Sequence, residues 1–104
     1  MISFINPFKL EEFLEKEGQP VLLACFEKDL DYINHINILE DISHVYKGKI
    51  RVCLINNELN LMNKRFGIYG TPTFAIYYRG KQKSIMLGKM NIDEMKTFMK
   101  KNMI

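Results

Sequence analysis

The apolar positions of this chain change period several times, and each change marks an element. Val21 to Phe26 is apolar throughout, the pattern of a central strand covered on both faces. Ile50 to Ile55 reads as a second buried strand, and Thr73 to Tyr78 as a further strand. Between the first two, Ile33, Ile36, Leu39, Ile42, Val45 and Tyr46 recur at intervals of three and four. That spacing predicts a helix running to about Tyr46 with this stripe toward the core. Asp29 or Asp31 offers its N-cap, and Lys47-Gly48-Lys49 closes it with a glycine and positive charge at the negative end of the dipole.

The remaining segments follow the same logic. Ile2 to Ile5 is a short strand ended by Asn6-Pro7. Phe8 to Glu17 forms a helix with Phe8, Leu10, Phe13 and Leu14 on one side, stopped by Gly18 and kept stopped by Pro20. A short helix over Leu59 to Phe66 ends at Gly67. Thr73–Tyr78 and Ser84–Leu87 flank the polar Arg79-Gly80-Lys81-Gln82-Lys83 as a hairpin, and Gly88 turns the chain. Asn91 caps a last helix whose apolar side is Ile92, Met95, Phe98 and Met99. The order is β-α-β-α-β-α-β-β-α: an α/β chain with a mixed central sheet flanked by helices on both faces.

Length and composition narrow the function. At 104 residues there is room for one core, so residues 1–104 are expected to form a single domain. A net charge of +3 is mild, and the basic residues are scattered as Lys47/Lys49, Lys64/Arg65, Arg79/Lys81/Lys83 and Lys100/Lys101 rather than gathered beside exposed aromatics. Nucleic acid is therefore not an expected partner. No apolar run approaches the roughly 20 residues that span a bilayer, and Met1–Pro7 lacks the basic and long apolar regions of a secretory signal. Cys25 and Cys53 each sit inside an apolar strand pattern, which asks for no disulfide framework. A reducing cytoplasm is the expected location, with no membrane partner.

The element order, Tyr46-Lys47-Gly48-Lys49 before the third strand, Phe66-Gly67-Ile68, Gly70-Thr71-Pro72-Thr73 and Gly88 before the last helix together resemble the thioredoxin family over the whole chain. The resemblance implies a thioredoxin fold, and a Cys-x-x-Cys at the start of the helix that follows Val21–Phe26. The matching residues are Leu30-Asp31-Tyr32-Ile33. In the family the first cysteine is a nucleophile whose thiolate is stabilised at a helix N-terminus, and the second resolves the mixed disulfide. Leu30 and Ile33 can do neither. The tryptophan that usually precedes the pair is Asp29, and the chain has no tryptophan.

The family's supporting groups are absent as well. A buried acid and a lysine on the neighbouring strand, which manage protons for the resolving cysteine, correspond to Ala24 and Leu54. A buried ion pair is costly unless it serves a function, so both charges are expected to go once the thiol chemistry has gone. Pro72 remains. In the family the matching proline is cis and the residue before it, here Thr71, offers backbone groups to an extended peptide; shaping the entry to a strand is an equally good account of it.

Other candidate chemistry is thin. If Ala24 and Leu54 share one sheet face, Cys25 and Cys53 share the other, as buried thiols rather than a disulfide. His35 and His44 lie on opposite sides of their helix and cannot share a metal; Asp31 and His35 read as a solvated or helix-stabilising pair. No metal and no cofactor are expected. Tyr32 reads as an exposed contact residue. Met62, Met86, Met90, Met95 and Met99 read mostly as core filling, and Met103 lies at a chain end.

These readings favour a redox-inactive module that binds protein or extended peptide along the rim Asp29, Leu30, Asp31, Tyr32, Ile33, Gly70, Thr71 and Pro72. Two other classes stay open: a divergent thiol–disulfide oxidoreductase of cell redox homeostasis using Cys25 or Cys53, and a structural subunit that forms a homodimer.

Overall fold

A computed structural model describes residues 1–56 and 66–102. Strand β1 (Ile2–Phe4) leads through a 3-10 turn (Pro7–Lys9) into helix α1 (Leu10–Lys16), followed by β2 (Val21–Phe26), α2 (Tyr32–Val45), β3 (Arg51–Asn56), β4 (Thr73–Tyr78), β5 (Lys81–Leu87) and α3 (Ile92–Asn102). The strands form one mixed sheet in the order β1-β3-β2-β4-β5. β1 and β2 run parallel to β3, whereas β4 is antiparallel to both β2 and β5. The helix expected over Leu59–Phe66 falls, apart from Phe66, outside the described residues, as do Met62 and Met103.

The sheet divides the interior into two layers. On one side Leu22, Ala24, Phe26, Leu54, Phe74 and Ile76 pack against α2 and α3. On the other, Val21, Leu23, Cys25, Cys53, Ala75 and Tyr77 pack against Leu10 and Leu14 of α1. All six residues of β2 are buried, because this strand lies at the centre of the sheet with helices on both faces.

Local chemistry sets the boundaries. Asn6 accepts a hydrogen bond from the Phe8 N–H at 2.9 Å, so the first helical segment opens as a 3-10 turn and becomes α-helical only from Leu10. Asn91 and Glu94 form a reciprocal capping box before α3: the Glu94 N–H donates to Asn91 Oδ1 at 2.8 Å and the Asn91 N–H to Glu94 Oε1 at 3.1 Å. The hairpin is tighter than the sequence reading. β5 begins at Lys81, so the turn is only Arg79-Gly80, both at positive φ (52° and 81°). Two such residues match the right-handed twist of the flanking strands, and a register shift at Ile76/Tyr77 absorbs the extra β5 residue.

The buried face of α2 differs from the expected stripe. His35, Ile38, Leu39, Ile42 and Ser43 face inward, while Ile33 and Val45 are exposed. Two contacts rotate the helix this way. The His35 ring stacks among Phe26 and Phe74 at centroid distances of 5.1 and 6.1 Å, and Ser43 Oγ bonds to the amine and carbonyl of Met1. His35 is thus a core residue, 2% exposed, and not half of a solvated pair. Met90, Met95 and Met99 are buried, whereas Met86 on the outer strand is exposed.

Candidate functional site

The site expected from the sequence sits where β2 ends and β4 begins. Cys25 pairs with Thr73, so the loop leaving β2 emerges beside the Thr71–Pro72 segment entering β4. Asp29 shapes that loop: its Oδ1 accepts from the Asp31 N–H at 2.9 Å and its carbonyl from the Tyr32 N–H at 3.2 Å, which turns the chain into α2. Asp31 occupies the N-cap position without a side-chain cap bond, because its carboxylate is engaged elsewhere. It pairs with Lys89, from the segment joining β5 to α3. That hydrogen bond holds the Asp31 carboxyl below its ordinary value and the Lys89 ammonium above its own.

Leu30 is 104% exposed and Ile33 66% exposed. Both apolar side chains therefore stand in solvent at the opening of α2. Tyr32 is half-buried, which corrects the expectation of an exposed contact residue. Its ring meets Phe26 edge-on at 5.6 Å, and Lys28 Nζ lies 5.9 Å from its centroid. Tyr32 therefore supports the loop more than it presents a free face.

On the opposite lip the Thr71–Pro72 peptide is cis. Thr73 Oγ1 donates to the Gly70 carbonyl at 2.6 Å, and the Gly88 N–H donates to the Pro72 carbonyl at 2.9 Å. Gly70 and Thr71 are half-buried and Pro72 is buried. Leu87 covers Gly70 so closely that a methyl group there would lie 3.0 Å from Leu87 Cδ1. Leu87 and Tyr69 are themselves exposed and extend the apolar rim beyond the residues read from sequence. The sequence signal for Leu87 was its place at the strand end next to Gly88. Nothing in the sequence distinguished Lys89 from the other lysines.

The two thiols are buried under the α1 face of the sheet rather than presented at the rim, although Cys25 pairs with Thr73. Leu23 pairs with Cys53 and Cys25 with Ile55, so Cys25 and Cys53 are diagonal neighbours on adjacent strands, both in the α1 layer and both fully buried. Ideal strand spacings put such residues about 8 Å apart at Cα, beyond the reach of a disulfide. Burial pushes the Cys53 thiol up to about 12, with Glu17 adding to the effect and Arg51 opposing it. That shift removes the thiolate needed for nucleophilic exchange. Ala24 and Leu54 face each other directly across β2 and β3, both fully buried and apolar.

Among the described residues no group of three or more His, Cys, Asp or Glu could hold a metal ion. Also among them, no helix is long and apolar enough to cross a membrane.

No protein-family model matches the chain. The chain is similar to the thioredoxin of Pseudomonas aeruginosa, at 24% identity over 66 residues. The match covers 62% of this chain and spans 61% of the length of that protein. Together with a five-stranded mixed sheet and its helices, this likeness is compatible with a thioredoxin-like fold.

Proposed function

We propose that this chain is a redox-inactive, thioredoxin-like module that binds extended peptide segments of other proteins along the rim formed by Leu30, Ile33, Thr71 and Leu87, with the buried Pro72 beneath it. One observation carries the reading: a fully exposed leucine stands where the resemblance calls for a nucleophilic cysteine, while both real cysteines are buried in the opposite layer. A solvent-facing leucine costs apolar exposure and gains nothing for the isolated fold. Beside it, Thr71 supplies main-chain groups that an extended peptide can pair with, the Gly70 and Pro72 carbonyls being engaged within the fold. At the rim's edge Asp31 and Lys89 neutralise each other.

The reading is tested with a phage-displayed library of random extended peptides. Selected peptides are expected to lose at least tenfold in affinity for the Leu30→Asp variant, about 1.4 kcal/mol, and to shift the amide resonances of Ile33 and Thr71. Peptides that bind Leu30→Asp as tightly as wild type would place recognition elsewhere. Dithiothreitol-dependent insulin reduction above a Cys25→Ser/Cys53→Ser control would restore the oxidoreductase reading.

A further inference from the structure

Strand β5 is the last strand of the sheet, with no strand paired beyond it among the described residues. Its outer half is divided by charge. Lys81 and Lys83 stand exposed at one end, and Ile85, Met86 and Leu87 stand exposed at the other. Beside the apolar end, Met86 and Phe98 line a groove of about 360 Å³ between β5 and α3, whose rim carries Asp93 and Glu94, with Thr97 and Lys101.

We infer that this edge is a self-association surface, on which a second copy of the chain adds its own β5 antiparallel about Ser84. A long unpaired edge with an apolar half is a template for another strand. The seven-residue strand is symmetric in length about Ser84, so this register overlaps the two strands over most of their length. With Lys83 bulged out as it is against β4, it sets Gln82 opposite Ile85 of the second copy and Lys81 opposite Met86, pairs that share a sheet face. Sliding the strands so that their lysine ends overlap would oppose Lys81 to Lys81, and like charges directly opposite are destabilising. Lys81 thus selects the register rather than forbidding pairing.

Charge complementarity points to a second copy as the occupant. Lys81 pairs with Tyr78 and Met86 with Phe74, so both lie on the sheet face that carries α3. A two-fold axis through Ser84 brings the basic end of one edge to the Asp93–Glu94 side of the other's groove, twice over. Lys81 of each copy then approaches Asp93 and Glu94 of its neighbour. Such an isologous contact closes on itself as a dimer. The surface is separate from the peptide rim in every residue except Leu87, so the variants below leave Leu30 and Ile33 untouched.

Sedimentation equilibrium across a wide concentration range tests the inference. The wild-type chain is expected to dimerise. Lys81→Glu and Asp93→Lys, each placing like charges together, are expected to weaken association by about tenfold, and Met86→Lys, which opposes Lys81, by more. The double variant Lys81→Glu/Asp93→Lys is expected to recover association, since it re-pairs the exchanged charges between copies. Circular dichroism confirms that each variant folds. A wild-type monomer at all concentrations, which includes the case where this edge accepts only a foreign strand, overturns the inference. So does a dimer indifferent to the single charge changes, or a double variant as weak as either single one.

Discussion

Ala24 and Leu54 occupy directly opposed positions on β2 and β3, with neither side chain reached by solvent. They are the positions at which the resemblance to thioredoxins calls for an acid and a lysine. An apolar pair here joins the α2–α3 layer without the desolvation penalty that two charges would carry.

Restoring the charges one at a time is therefore expected to damage the fold. Leu54→Lys or Ala24→Asp alone should cost about 3–5 kcal/mol, the penalty of an uncompensated buried charge. The double variant should cost less than the sum of the singles, because the two groups face each other. Urea denaturation of the four proteins measures the coupling, and strict additivity would contradict the pairing.

Cys53 sets an alkaline limit on stability. Its thiol ordinarily ionises near 9.0, and burial raises it to about 12 in the folded chain. The unfolded chain therefore releases the Cys53 proton first. The contribution is fully present below pH 9.0 and is lost as pH rises toward about 12. Tyr77, raised mainly by burial, acts in the same direction. Cys53→Ala should flatten the fall in stability with pH across this window, as followed by urea denaturation. In native buffer both wild-type thiols should react slowly with a thiol reagent.

The Asp31–Lys89 pair should show the opposite dependence at its acid end. The Asp31 carboxyl is held below 3.8, so its contribution is present above pH 3.8 and lost as pH falls through the lower folded value. The Lys89 ammonium is held above 10.5, so its contribution persists below that pH and is lost only above it. Both groups are exposed, so the effect is small and screened by salt. NMR titration of the Asp31 carboxyl in wild type and in Lys89→Ala should show the downward displacement vanish in the variant.

His35 is expected to be a liability to stability. Its ring is buried against Phe26 and Phe74, and Nδ1 has no hydrogen-bond partner among the described residues. Replacing an unsatisfied buried polar group with an apolar one of similar volume is neutral or stabilising. His35→Leu should raise stability by up to about 1 kcal/mol, whereas His35→Ala should lower it by about 2 kcal/mol or more through the cavity it leaves. Thermal melts of both variants provide the check.

How much of this was readable in the chain depends on what each pattern encodes. β2 and β4 were legible to the residue, because unbroken apolar runs between Pro20 and Glu27, and between Pro72 and Arg79, leave little freedom in where a strand starts and stops. The capping role of Asn91 was equally plain. The facing of α2 was not. Ile33, Ile36, Ile38, Leu39, Ile42 and Val45 spread over so wide an arc that periodicity permits several orientations. The choice among them was made by His35 against Phe26 and by Ser43 against Met1, contacts that span the fold. The hairpin turn was misjudged for a different reason. Lys81, Gln82 and Lys83 look like loop by polarity, but on an outer strand polar residues are at home. Of the residues expected at the rim, Tyr32 was misassigned because an aromatic ring beside a loop can face either way.

The central sheet also acts as a partition between two chemically distinct compartments. Both sulfhydryls report on the α1 side alone, and the single buried imidazole on the α2–α3 side alone. The native chain thus carries a separate internal probe in each half. Thiol reactivity and histidine proton resonances, followed together during gradual denaturation, would reveal whether the halves come apart in concert or one before the other.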